Sequence, residues 1–184
     1  MKAPTKEEFT LSIYSENHVG LLNQITTVFT RRHINIESLT TSESAISGIH
    51  KFTIVVYATP EQITKLAKQI EKRIDVLKVF VFRPDETIFQ EIALYKVSTG
   101  SLLSGNEIEK IVRQYGARIL EITPEYTVIE KTGHKSETQE LFEKLDPYGV
   151  SQFVRSGRIA ITKNKKELLE TYLKNLEQDQ TQLN

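Results

Sequence analysis

Asn17, His18, Val19 and Gly20 stand immediately ahead of the stretch LLNQITTVFTRR, and together they suit the capture of a small charged molecule. Leu21, Leu22, Ile25, Val28 and Phe29 recur at helical spacing, which predicts a helix of about three turns. The first N–H groups of a helix lack internal acceptors and carry the positive end of its dipole, so a carboxylate is held there without a cationic side chain. Gly20 omits the Cβ that would keep such an anion at a distance. The Asn17 amide both donates and accepts, which suits a zwitterion such as a free amino acid. Asn35 opens the next strand and is placed to reach the same loop from the side. An asparagine before a helix is also an ordinary N-cap, and a glycine there an ordinary turn residue, so spacing alone leaves both readings open.

Other candidate chemistries fall away on inspection. Gly100 and Gly105 match the two glycines of a phosphate-binding loop, but Asn106 and Glu107 stand where lysine and a hydroxyl residue are required. His18, His33, His50 and His134 fall at no metal-ligand spacing, so solvent-facing or helix-terminal histidines are expected and no metal site. The serines lie in no G-x-S-x-G elbow, and no nucleophile, base and orienting group occur at recognisable spacing. With 24 basic and 24 acidic residues the chain is formally neutral, which gives no electrostatic reason to bind nucleic acid or acidic lipid. The strand FTIVVY also lacks the basic and aromatic pattern of an RNA-binding sheet. There is no cysteine, hence no disulfide, thiolate nucleophile or Cys-based zinc site. No apolar run approaches the roughly eighteen residues of a membrane helix, and MKAPTKEEF lacks the apolar core expected of a signal peptide. A cytoplasmic location is expected, or an organellar one if a transit peptide has been removed.

Stepping outward, the loop needs a strand before it and a sheet behind it. Phe9, Leu11 and Ile13 alternate as a half-buried strand does, and Ile34, Ile36 and Leu39 lead a second strand to a turn at Ser47 and Gly48. HKFTIVVYA returns, Pro60 opens a helix carrying Ile63, Leu66, Ala67, Ile70 and Ile74, and DVLKVFVF closes the unit. The order βαββαβ predicts a ferredoxin-like unit, a four-stranded antiparallel sheet covered on one side by two helices. Arg83-Pro84-Asp85-Glu86 reads as a break, giving domains 1–83 and 84–184. The second unit repeats the order: EIALYKV, a helix capped by Ser104, ARILEIT, EYTVIEK, a helix carrying Leu141, Phe142 and Leu145, then VSQFVRSGRIAI and a terminal helix. The fold class is therefore α+β with two ferredoxin-like units. Apolar edge strands in such small sheets predict a homodimer or higher, with sheets joined side by side.

Glu16-Asn17-x-x-Gly20-Leu21-Leu22 followed by Val28-Phe29-x-x-Arg32-x-x-Asn35-Ile36-Glu37-Ser38-Leu39 resembles the N-terminal ACT domain of regulatory (small) subunits of acetohydroxyacid synthase, also called acetolactate synthase. The similarity continues through Asp75-Val76-Leu77-Lys78-Val79, Arg83, Glu91-Ile92, Leu94, Lys96-Val97, Ile122-Thr123-Pro124 and Val154-Arg155-Ser156-Gly157. Two positions depart: Gln24 stands where many relatives carry Arg, which bears on effector strength, and His33 replaces the usual Gly after the helix. Histidine tolerates the left-handed conformation better than most residues. The resemblance implies a non-catalytic subunit with a first unit that senses amino acids and a second that contacts and activates the catalytic (large) subunit. It implies thiamine diphosphate and Mg²⁺ in that partner, none in this chain, and feedback inhibition by valine, leucine or isoleucine, valine foremost. The implied effector-binding residues are Asn17, His18, Val19, Gly20, Leu21, Asn35 and Ile36, at the seam of an ACT dimer. Val154, Arg155, Ser156 and Gly157 are the implied partner contact. The alternative is a stand-alone ACT-type sensor acting on another enzyme or a transcription system.

Overall fold

The computed structural model describes residues 5–164 and 168–182. The chain opens with β1 (Glu7–Glu16), α1 (Leu21–Arg31), β2 (Ile36–Glu43), β3 (Ile49–Ala58), α2 (Pro60–Glu71) and β4 (Val76–Phe82), a βαββαβ unit with strand order β2-β3-β1-β4, all pairs antiparallel. Pro60 follows an N-cap, Thr59, whose hydroxyl accepts from Gln62 N while the Gln62 side chain accepts from Thr59 N, so two orphan donors are satisfied reciprocally. Leu21, Ile25, Val28 and Phe29 of α1 and Ile63, Leu66, Ala67 and Ile70 of α2 pack on Phe9, Leu11, Ile13, Ile54 and Val56 of the sheet.

The second unit repeats this pattern with β5 (Thr87–Ser98), a short α3 (Thr99–Leu103), α4 (Glu107–Gln114), β6 (Arg118–Ile122), β7 (Tyr126–Gly133), α5 (Lys135–Leu145) and β8 (Val150–Arg155). Its strand order, β6-β7-β5-β8, is the same permutation as in the first sheet, with β9 (Ile159–Thr162) added on β5. Tyr95, Ile129, Leu141 and Leu145 are fully buried at its centre. The Tyr95 hydroxyl donates to Thr138 O at 2.6 Å, and burial, opposed by the nearby Arg155 charge, pushes its pKa up to about 12. Ser104, expected to cap α4, instead closes α3, its hydroxyl donating to Ser101 O, and Asn106 stands at the α4 N-cap without a side-chain bond. The glycine-flanked stretch 100–105 thus holds the last four residues of the five-residue α3 and its C-cap.

The chain finishes with α6 (Leu168–Gln182), and here the expected division needs correction. The compact units are residues up to 88 together with those from 160 onward, and residues 89–159, so α6 belongs with the first unit. Tyr14 of β1 faces Lys51 of β3 and Lys78 of β4 in register. On that same face Lys51 Nζ donates to Ala160 O at 2.7 Å, and Lys78 Nζ lies 5.3 Å from the Tyr172 ring centroid. Helices therefore cover the first sheet on both sides, and β1 is buried from Thr10 to Ser15 on both faces rather than half-buried. Among the described residues no helix is long and apolar enough to cross a membrane.

Candidate functional site

Glu16 ends the central strand, and its N–H donates to Asp75 O at 3.0 Å, which anchors the loop that follows. Gly20 is the α1 N-cap, with φ +87° and no side-chain capping bond, and Leu21 N donates to His18 O at 3.3 Å. That positive φ requires glycine. No acidic residue occupies the first turn of α1, so the positive end of its dipole is not offset locally. Asn17 is not the cap, and among the described residues its side-chain amide has no partner. A donor and acceptor thus stands free beside an uncapped helix start.

A cavity of about 260 Å³ adjoins this loop, lined by Asn17, His18, Gly20 and Leu21 from the expected set. Leu22 and Phe52 add apolar wall, and Glu16, Thr41 and His50 add polar groups. These last were not foreseen, because Thr41 and His50 arrive through strand register. Thr41 lies opposite Phe52 between β2 and β3, and His50 opposite Ser15 between β3 and β1. Val19 is fully exposed and lines no part of the cavity.

Asn35 and Ile36 follow the far end of α1, about 16 Å from Gly20 by helical rise, so a single chain does not bring them to this cavity. The Asn35 amide donates instead to Glu37 Oε1 at 3.0 Å. Arg32, between them and the helix, donates to Gln69 Oε1 of α2 at 2.7 Å. His33 adopts φ +52°, the left-handed conformation that its place after the helix demands.

His18 is not simply solvent-facing. Its Nδ1 lies 3.1 Å from Asp75 Oδ1 and its Nε2 3.4 Å from Glu16 Oε2. One ligand atom from each of the three residues lies within 4.8 Å of the others, a grouping able to offer three donors to a divalent ion. The two carboxylates approach different ring nitrogens, Asp75 at Nδ1 and Glu16 at Nε2.

In the second unit Val154 points outward and is exposed, while Arg155 and Ser156 are engaged within the fold. Arg155 Nη1 donates to Lys135 O at 3.1 Å, and Ser156 Oγ accepts from Ile92 N at 2.9 Å and donates to Gly157 O. Of these four residues, Val154 offers the most free side-chain surface.

Residues 11–78 match the family described as the AHAS small subunit-like ACT domain, and residues 90–164 match that described as the small subunit of acetolactate synthase. The acetolactate synthase small subunit of Bacillus subtilis is 34% identical over 152 residues, covering 82% of this chain and 88% of that relative. Its counterpart from Mycobacterium leprae is 32% identical over 157 residues, covering 85% and 92%. The crystal structure of the Thermotoga maritima acetolactate synthase small subunit superposes with a TM-score of 0.79 at 27% identity, covering 87% of this chain and 99% of that one. Two ferredoxin-like units in series, the first an ACT domain, and this level of identity along most of both lengths, make the chain a member of the acetolactate synthase small-subunit family.

Proposed function

We propose that the chain is a regulatory, non-catalytic subunit that activates a thiamine-diphosphate-dependent acetolactate synthase catalytic subunit and subjects it to feedback inhibition by branched-chain amino acids, valine foremost. The observation that carries this is the uncapped, uncompensated start of α1 beside an unpartnered Asn17 amide and a cavity with Leu22 and Phe52 in its wall. The ligand carboxylate lies against the first N–H groups of α1, and Asn17 bonds its charged end. In a dimer joined along the edge strand β2, Asn35 and Ile36 of the second copy complete the site from the side. Binding favours one arrangement of the dimer, and the coupling to catalysis equals the ligand's differential affinity for the two states. The second unit, with Val154 outward, contacts the catalytic subunit.

Mixing the purified chain with its catalytic subunit tests this. Acetolactate formation should rise on mixing, fall as valine, leucine or isoleucine is titrated in, and be absent with this chain alone. Unchanged catalytic rate on mixing, or turnover by the isolated chain, would overturn the proposal.

A further inference from the structure

The family match ends at residue 164, and α6 lies beyond it. Its apolar stripe packs on the first unit: Leu169 is 1% exposed, Tyr172 lies beneath the Lys78 ammonium, and Lys78 is itself paired with Glu71 at 2.7 Å. One turn of this stripe does more than pack. Leu173 joins Ile49 and Leu77 as the apolar wall of a second cavity, about 480 Å³, whose other wall is Glu16, Asn17 and His18 with Ser47. The Asn17 segment is therefore a ridge between two cavities, one shared with Gly20 and one with α6.

A volume of several hundred Å³ with an apolar end and a few converging polar groups is the composition of a small-ligand site. The polar end carries an acceptor of cations in Glu16, a free amide in Asn17 and a hydroxyl in Ser47. The other end carries aliphatic side chains only.

We propose that the cavity between α6 and the Asn17 ridge is a second ligand site, taking an aliphatic amino acid with its ammonium at Glu16, its carboxylate at Ser47, and its side chain against Ile49, Leu77 and Leu173. Leu173 then determines specificity, because it is the side chain that α6 adds to this wall. The proposal extends the amino-acid reading of the Gly20 cavity and rests on it, and the two are separable by which residue governs which bound molecule.

Titration calorimetry on the full chain with valine, leucine and isoleucine separates them. The wild type should bind two molecules per chain for the best of the three. Leu173→Glu sets a carboxylate in the aliphatic wall and should remove one of the two or weaken it at least tenfold. Gly20→Asp should remove the other. Leu173→Ala keeps the helix apolar and enlarges the cavity, so the second site should shift its preference towards leucine and isoleucine. One molecule per chain, lost in Gly20→Asp and untouched by either Leu173 variant, would overturn the second site and leave the first standing. No binding by the wild type would overturn both.

Discussion

At Gly20, backbone geometry and ligand position act on the same atom count, and two substitutions separate them. The φ of +87° makes any side chain strained, by about 1–2 kcal/mol for an ordinary residue, although an added Cβ meets nothing within 4 Å. Gly20→Ala carries that strain and a Cβ beside the anion position, without a charge. Gly20→Asp adds a negative charge at the proposed position of the ligand carboxylate, and losing a charge-assisted hydrogen bond costs about 1.5–3 kcal/mol, roughly ten- to a hundredfold in affinity. In valine titrations of the reconstituted enzyme, Gly20→Asp should abolish inhibition and keep activation, whereas Gly20→Ala should stay inhibitable. Equal inhibition in wild type and Gly20→Asp would place the site elsewhere. The loop residues were legible because a helix start is a local event, written in Gly20 and the apolar spacing after it. Asn35 was rightly placed after the helix, but the eleven-residue length of α1 sets it about 16 Å from Gly20, so the expectation that it reaches this loop within one chain did not hold. Thr41 and His50 were not legible at all, as they depend on strand register.

On β7, Glu130 is buried and takes hydrogen bonds from the Thr132 hydroxyl at 2.8 Å and from Arg118 Nε on the neighbouring β6. The Thr132 bond first, then Arg118, hold its carboxyl below the ordinary value of 4.5 against the opposing effect of burial. A lowered folded-state pKa means that the ionised group stabilises the fold at pH above the ordinary value, and that this stabilisation is lost as pH falls through the lowered one. Thermal unfolding midpoints of wild type should therefore drop on acidification below about pH 4.5 more steeply than those of Glu130→Gln, whose amide does not titrate. Identical acid limbs would show that Glu130 contributes nothing to the pH dependence. The elements themselves were legible wherever period and punctuation agreed, as in α2 with Thr59, Pro60 and Gln62. They were misjudged where a polar residue served two neighbours: Ser104 reads as the start of α4 and ends α3, because the sequence LLSGNE offers several polar residues for one helix boundary. β1 was read as half-buried because Phe9, Leu11 and Ile13 alternate with polar residues, yet Thr10 and Ser12 are buried as well.

For the molecule as a whole, the sheets end in exposed edges. Every residue of β6 is exposed, including Ile119, Leu120 and Ile122, and β2 stands at the edge of the first sheet. Unpaired edges of this kind recruit another chain. Sedimentation at micromolar concentration should show at least a dimer, and a monomer there would count against edge pairing. The fold class and the doubled order of elements were legible from the repeat of one pattern along the chain. The return of α6 to the first unit was not, since an amphipathic terminal helix carries no sign of which sheet it will cover.

That return makes two strands in equivalent places behave differently. β1 and β5 hold the same position in the same strand order, but β1 is buried along seven successive residues, whereas β5 alternates between covered and open sides. Deuterium entering the chain should accordingly reach the amides of β5 long before those of β1, and shortening the chain by its last helix should erase the difference.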